Sequence, residues 1–419
     1  MSGAPGYGQE GPGPLPARNG RWCPGVWEQR TDSRLFPEPG RSPLPDPDWM
    51  DGPDMTPSTS TTRPDRSTPS TPPPRTREEA GGADPTVVDM AVVGAGPCGI
   101  AAGAAARRAG LSTVLVDRGP LCASVVDYPW YMSFFSTPEK LEVEGLPFVT
   151  AEKNATRREA LAYYRRVAEY FELPVRLHET VEAVEGREGD FRLRTRRDSG
   201  REDEIRARRI VLAIGGFHRP NLLDVPGEDL PKVSHWYGEA HPYWKKDVLV
   251  VGGSNSAVEA SLELFRTGAR VTMVHFGSDF DPGVKPWVLP DIRNRLEKGE
   301  IRMFWHHRVA RIEAEEVVLR EEDSGQTRTL ANDRVLALTG WRPDPKLLRS
   351  LGVPVDPDTG VPEHDPETFE TPIPGVHIAG VLAAGYDANR IFIENGRWHG
   401  RAIARAILAD SGQAAPAGN

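Results

Sequence analysis

Apolar residues along this chain arrive in short blocks that follow two different periods. Predominantly aliphatic runs at residues 87–93, 113–116, 210–214, 248–251, 334–338 and 376–379 read as strands buried on both faces. Between them, small residues from 99 to about 109 predict a helix that Gly110 stops, and an amphipathic pattern predicts a second helix over 157–171. Shorter strands are expected near 175–177 and 191–195, and a closing helix from about 392 to 408. The succession strand, glycine turn, helix, strand occurs twice, at 87–116 and again from 248. That repetition predicts an α/β fold of two Rossmann-like dinucleotide-binding domains.

Residues 1–84 follow neither period. Gly, Pro, Ser and Thr dominate them, so they cannot bury enough apolar surface to offset their chain entropy, and a disordered tail is expected. The order of elements suggests one domain interrupted by another. A FAD-binding domain is expected from 85–222 and 337–410, around a nicotinamide domain at 223–336, with a flexible C-terminus at 411–419. The chain crosses between domains at 216–222 and after Gly340.

Composition narrows the class. The chain has 419 residues, a net charge of −9 and three cysteines, with a mean hydropathy of −0.47. The acidic balance disfavours nucleic acid as a partner. No apolar run reaches the roughly 18 residues of a membrane helix. Three scattered cysteines do not form a secreted disulfide framework, and no secretory signal is visible, so the cytoplasm is the expected compartment. No metal site is expected.

Both strand–helix junctions carry a glycine-rich turn. The first is Gly94-Ala95-Gly96-Pro97-Cys98-Gly99 and the second Gly252-Gly253-Ser254-Asn255-Ser256-Ala257. Glycines permit the tight turn and let the backbone approach a pyrophosphate, which then meets the free N–H groups of the helix amino end. One such turn is weak evidence. Two indicate two bound dinucleotides, hence a flavoprotein that takes hydride from a nicotinamide. Asp117 ends the second strand, roughly 20 residues past Gly94, where a carboxylate accepts hydrogen bonds from a ribose diol. With Arg118 beside it, this suits the unphosphorylated ribose of FAD. The corresponding residues of the second unit are His275 and Phe276, neither acidic. A 2′-phosphate is tolerated there, so NADPH is expected over NADH, with His275 and Lys285 as the phosphate contacts.

These turns, together with Asp127-Tyr128-Pro129, Phe134-Phe135-Ser136-Thr137, Glu139-Lys140-Leu141-Glu142, Ile393-Glu394-Asn395-Gly396-Arg397 and His399-Gly400, resemble the bacillithiol-disulfide reductase family. The resemblance covers about residues 86–410. It implies a thioredoxin-reductase-like fold, a homodimer or homotetramer, and use of NADPH and FAD to reduce the disulfide of a small thiol. By the same resemblance Asp127 lies beside the flavin. Phe392 and Ile393 meet the flavin's pyrimidine edge, at a helix amino end whose dipole stabilises negative charge on it. Two departures from thioredoxin reductase stand out. Gly380-Val381 replaces the usual Gly-Asp, and residues 233–238 carry no Cys-x-x-Cys.

Without a dithiol, hydride from NADPH passes to FAD and then to substrate, and the resemblance marks Cys98 as the redox-active thiol. A helix amino end favours the thiolate. A pyrophosphate at the same helix end raises the thiol pKa, and the position also suits a small packing residue. Cys122 and Cys23 are expected to be incidental. His235, Trp236, His241 and Tyr243 form a polar-aromatic cluster suited to binding substrate or donating a proton. Two other readings compete: a flavin-dependent NADPH monooxygenase, whose linker Phe217-His218-Arg219-Pro220 and His235-Trp236 faintly resemble, and a sensor that has kept the fold and lost turnover.

Overall fold

A computed structural model describes residues 87–217 and 219–410. The expected disordered tail at 1–84, Cys23, His218 and the C-terminus at 411–419 lie outside them.

Two parallel sheets organise the chain. In the first, Val88–Val93 lies between Thr113–Val116 and Glu202–Leu212, parallel to both. Val175–Arg176 extends one edge and Val376–Ile378 pairs with the end of Glu202–Leu212. Glu202–Leu212 serves two structures. Its last residues belong to the parallel sheet, while its first half pairs antiparallel with Asp190–Arg197, which in turn pairs with Glu179–Arg187.

Helix Pro97–Arg108 covers one face of this sheet with alanines and Ile100. Its small residues are explained by the closing helix, His399–Asp410, which packs directly on it. A Cβ at Gly400 would lie 2.5 Å from the Ala102 Cα, so only glycine allows that approach.

In the second sheet, Asp247–Val251 lies between Arg270–Val274 and Arg334–Ala337, with Arg302–Phe304 and Val233–Ser234 at the edges, all parallel. A three-stranded meander, His307–Ile312, Glu316–Glu321 and Thr327–Ala331, lies beside it. The two chain crossings pair with each other as short antiparallel strands, Arg219–Pro220 and Trp341–Arg342. The Asn221 amide donates to the Thr339 carbonyl at 2.9 Å, and Trp236 packs on Trp341 with ring centroids 4.1 Å apart and the rings tilted by 43°.

Two expectations need correcting. The predicted helix over 392–408 is broken into a single turn, Ile393–Gly396, and the helix His399–Asp410. At the break the Arg397 guanidinium turns back to the carbonyls of Glu139 and Glu142. The short strand expected at 191–195 runs longer, as Asp190–Arg197, and its partners Glu179–Arg187 and the first half of Glu202–Leu212 have no counterpart among the apolar runs, because charged residues alternate along them.

Candidate active site

The first glycine turn leads from Val88–Val93 into helix Pro97–Arg108. Gly94 has φ +110, and a Cβ there would lie 2.3 Å from the Ala213 carbonyl oxygen. Gly96 is the opposite case: nothing lies within 4 Å of where its Cβ would be, so the turn faces open space. Gly96 is the N-cap and no side chain caps the helix, which leaves its first N–H groups for an anion. Asp117 follows Thr113–Val116 directly. Its Oδ2 accepts from the Ala95 N–H at 2.7 Å and its Oδ1 from the Gly119 N–H at 2.9 Å. Each oxygen keeps acceptor capacity for a ribose diol. An open turn, an uncapped helix and a fixed carboxylate fit FAD.

The second turn repeats the design. Gly252 has φ +140, and Ser254 is an N-cap without a side-chain bond to helix Asn255–Thr267. Asn255, a departure from the glycine pattern, has a job: its Oδ1 accepts from the Lys285 N–H at 2.9 Å and its Nδ2 donates to the Gly283 carbonyl at 2.9 Å. It ties the loop at 283–285 to the helix start.

Both turns open on one cleft of about 1510 Å³. That exceeds the roughly 300–1,000 Å³ of a pocket for one drug-sized ligand. Gly96, Pro97, Cys98, Asp117, Arg118 and Asp127 line it from one side, with Gly380, Phe392 and Ile393. Gly252, Gly253, Ser254, Asn255, Ser256, His275 and Lys285 line it from the other. Gly94 and Gly99 shape the first turn from beneath.

Across the cleft, the Ala240 N–H donates to the Tyr131 hydroxyl at 3.1 Å, which lies 3.3 Å from the Tyr237 hydroxyl. Tyr237 donates to Glu263 at 2.7 Å. One turn earlier, burial and the neighbouring Glu263 push the Glu259 carboxyl up to about 7, and its Oε1 has no partner.

Cys98 is half-buried at the first helical turn. A Cβ at Gly380 or at Gly396 would lie 3.0 or 2.9 Å from its Sγ, so the thiol sits between two glycines of the closing segment. Burial pushes its pKa up to about 12, so the thiol is protonated at neutral pH. Cys122, next to the first turn, is buried and its N–H donates to the Ala95 carbonyl at 3.0 Å. Gly380 is pinned in turn by His399, whose Nδ1 accepts its N–H at 3.2 Å.

Several expected site residues are arranged differently from the sequence reading. His275 is 5% exposed. Its ring packs on Phe276 and Trp305, and burial lowers its pKa, so it offers no charge to a phosphate. Lys285 does not join it: the ammonium lies 5.0 Å from the Phe392 ring and 5.4 Å from the Phe135 ring. An acid missed by counting, Asp281, stands 3.6 Å from His275 Nε2. The dipole expected at Phe392 and Ile393 comes from a one-turn helix, and the Phe392 N–H is already bonded to Asn395. The cluster of His235, Trp236, His241 and Tyr243 is split. His235 and Trp236 line the cleft, with His235 Nε2 3.4 Å from Glu228, while His241 and Tyr243 begin and end a short 3₁₀ turn outside it.

Two dinucleotide cradles facing one cleft define a flavin-dependent pyridine-nucleotide oxidoreductase. The family described as pyridine nucleotide-disulphide oxidoreductase matches residues 91–380. The bacilliredoxin reductase Bdr of Bacillus subtilis is 41% identical over 317 residues, 75% of this chain and 96% of its own. The solved structure of the bacillithiol disulfide reductase Bdr (YpdA) from Bacillus cereus is 38% identical, with a TM-score of 0.75 over 78% of this chain and 100% of its own. A flavin-containing monooxygenase from Stenotrophomonas maltophilia, 23% identical with a TM-score of 0.61, covers 78% of this chain and 99% of its own; it shares the fold alone. The chain belongs to the pyridine nucleotide-disulphide oxidoreductase family and, within it, to the bacillithiol disulfide reductases. Its cofactors are FAD and NADPH. Among the described residues, no helix is long and apolar enough to cross a membrane.

Proposed function

We propose that this protein is an NADPH-dependent flavoprotein that reduces the disulfide of a low-molecular-weight thiol, bacillithiol disulfide. The observation that carries the reading is the shared cleft: both dinucleotide cradles open on it, and His235 and Trp236 line it where a Cys-x-x-Cys would stand. With no dithiol to carry electrons away, reduction has to take place inside the cleft. The relatives' printed names, bacilliredoxin reductase and bacillithiol disulfide reductase, support the same substrate class.

When bound, FAD supplies a two-electron centre that accepts hydride from NADPH and passes electrons to the disulfide. The chain binds and orients. Gly96 and the first N–H groups of its helix hold one pyrophosphate, Asp117 a ribose, and Gly252 to Ser256 the second pyrophosphate. Residues 85–222 and 337–410 form the FAD-binding part and 223–336 the NADPH-binding part. The assembly is a homodimer or homotetramer in the cytoplasm.

Cys98 allows two routes at the substrate. In one, Sγ bonds to one substrate sulfur as the S–S bond breaks, and the other half leaves as thiolate and takes up the Cys98 proton; the mixed disulfide left on Cys98 would then take the two electrons that bound FAD supplies, returning the Cys98 thiol and releasing the second half. The second route reduces the disulfide without the thiol. It is favoured by the protonated state of Cys98 and its seat between Gly380 and Gly396.

The test is anaerobic NADPH oxidation with a panel of disulfides: bacillithiol disulfide, glutathione disulfide, cystine and oxidised thioredoxin. Bacillithiol disulfide is expected to support the fastest turnover and thioredoxin none. Turnover only with oxygen, accompanied by an oxygenated product, would instead make the protein a monooxygenase.

A further inference from the structure

The two nucleotide-binding halves repeat one plan, and the repeat breaks at one place. In the first half, the residue after strand Thr113–Val116 is Asp117, bonded to the N–H of Ala95, the second residue of the turn. In the second half, the residue after strand Arg270–Val274 is His275, and it too lies against the second residue of its turn. A Cβ on Gly253 would come within 2.6 Å of the imidazole. His275 therefore fills the position of the ribose-binding carboxylate with an uncharged ring.

One residue further on, Phe276 is 54% exposed, and the Arg308 guanidinium carbon lies 4.5 Å over its ring. Arg308 comes from strand His307–Ile312 of the meander and lines the cleft. Its Nε donates to Glu322 Oε2 at 3.0 Å. That bond fixes the plane of the guanidinium and uses only the inner nitrogen, so the terminal N–H groups remain available. Of the carboxylates nearby, Glu322 holds Arg308, and Asp281 stands 3.6 Å from His275.

We propose that Arg308, stacked on Phe276 and oriented by Glu322, recognises the 2′-phosphate of NADPH, and that Lys285 does not. A planar guanidinium with both terminal NH2 groups free suits bidentate phosphate binding. The inference rests on NADPH as the electron donor.

The test is isothermal titration of the FAD-loaded protein with two probes, adenosine 2′,5′-bisphosphate and adenosine 5′-monophosphate. The wild-type protein is expected to prefer the bisphosphate. Arg308→Ala should weaken the bisphosphate about tenfold or more while leaving the monophosphate within about twofold, as loss of one charge-assisted contact predicts. Arg308→Lys, which keeps the charge and loses the fork, should fall between. Lys285→Ala should change neither ratio. An unchanged flavin spectrum and melting temperature would show that the variants are folded. Equal loss of both probes in Arg308→Ala, no loss at all, or selective loss in Lys285→Ala would overturn the assignment. A wild-type protein with no preference for the bisphosphate would remove the NADPH reading itself, and this inference with it.

Discussion

At the scale of single residues, Cys98 bears on the chemistry of the cleft and Glu259 on the stability of its wall. For Cys98, flavin reduction by NADPH needs no thiol, whereas a mixed disulfide does. Cys98→Ser is nearly isosteric, so it should keep FAD and its reduction by NADPH in stopped-flow measurements. If Sγ carries the substrate, disulfide turnover should fall by an order of magnitude or more, since serine is a far weaker nucleophile at neutral pH. Turnover at the wild-type rate would instead show that Cys98 is a packing residue between Gly380 and Gly396. Glu259 titrates near neutrality because burial and Glu263 disfavour its charged form. In the unfolded chain it ionises from its ordinary value of 4.5 upward. Folding therefore carries no charge penalty from it below about 4.5, a growing one from there to about 7, and the full penalty above. Glu259→Gln should thus raise Tm at pH 8 and leave it nearly unchanged at pH 4.5. A Tm difference that stays constant with pH, or that shrinks as pH rises, would contradict the burial argument.

At the scale of elements, the broken closing helix brings the C-terminal segment to the flavin side. The break is held by Arg397, which donates to the Glu139 carbonyl at 3.0 Å and to the Glu142 carbonyl. One turn on, Arg401 donates to Glu144 at 2.7 Å. Arg397→Ala leaves two carbonyls unpaired and should destabilise the protein by about 1–3 kcal/mol. It should also raise the dissociation constant for FAD, because Gly396 and Gly380 pack on the first turn through Cys98. Thermal unfolding and flavin titration would check this; lost stability with unchanged FAD affinity would separate the closing segment from the cofactor site. Elements were legible in the sequence according to how they are buried. Strands covered on both faces, such as Val88–Val93 and Asp247–Val251, are apolar runs interrupted by no more than one aspartate at or near the start. The meanders alternate apolar with charged residues, and pairs such as Arg196 with Glu182 at 2.5 Å give one face to solvent. Such strands are specified by cross-strand partners, which a local pattern does not reveal.

At the scale of the whole molecule, the same distinction governs the site. The glycine turns and Asp117 could be read directly, because each cradle is built from neighbouring residues. Arg308, Glu322 and Asp281 could not, since a meander and a loop carry them to the second turn from elsewhere in the chain. Lys285 shows the converse: it is close in sequence to His275, but Asn255 ties its loop to the start of helix Asn255–Thr267 and its ammonium lies near the Phe392 and Phe135 rings instead of beside His275. What the molecule assembles is one cleft shared by two dinucleotides, and the claim that follows is disulfide reduction without a protein dithiol. The most direct measurement is the stoichiometry of anaerobic turnover with bacillithiol disulfide, counting thiols released per NADPH consumed. The account predicts about two thiols per NADPH, since one hydride carries the two electrons that split one disulfide. NADPH consumption without thiol release, or consumption that requires oxygen, would contradict it.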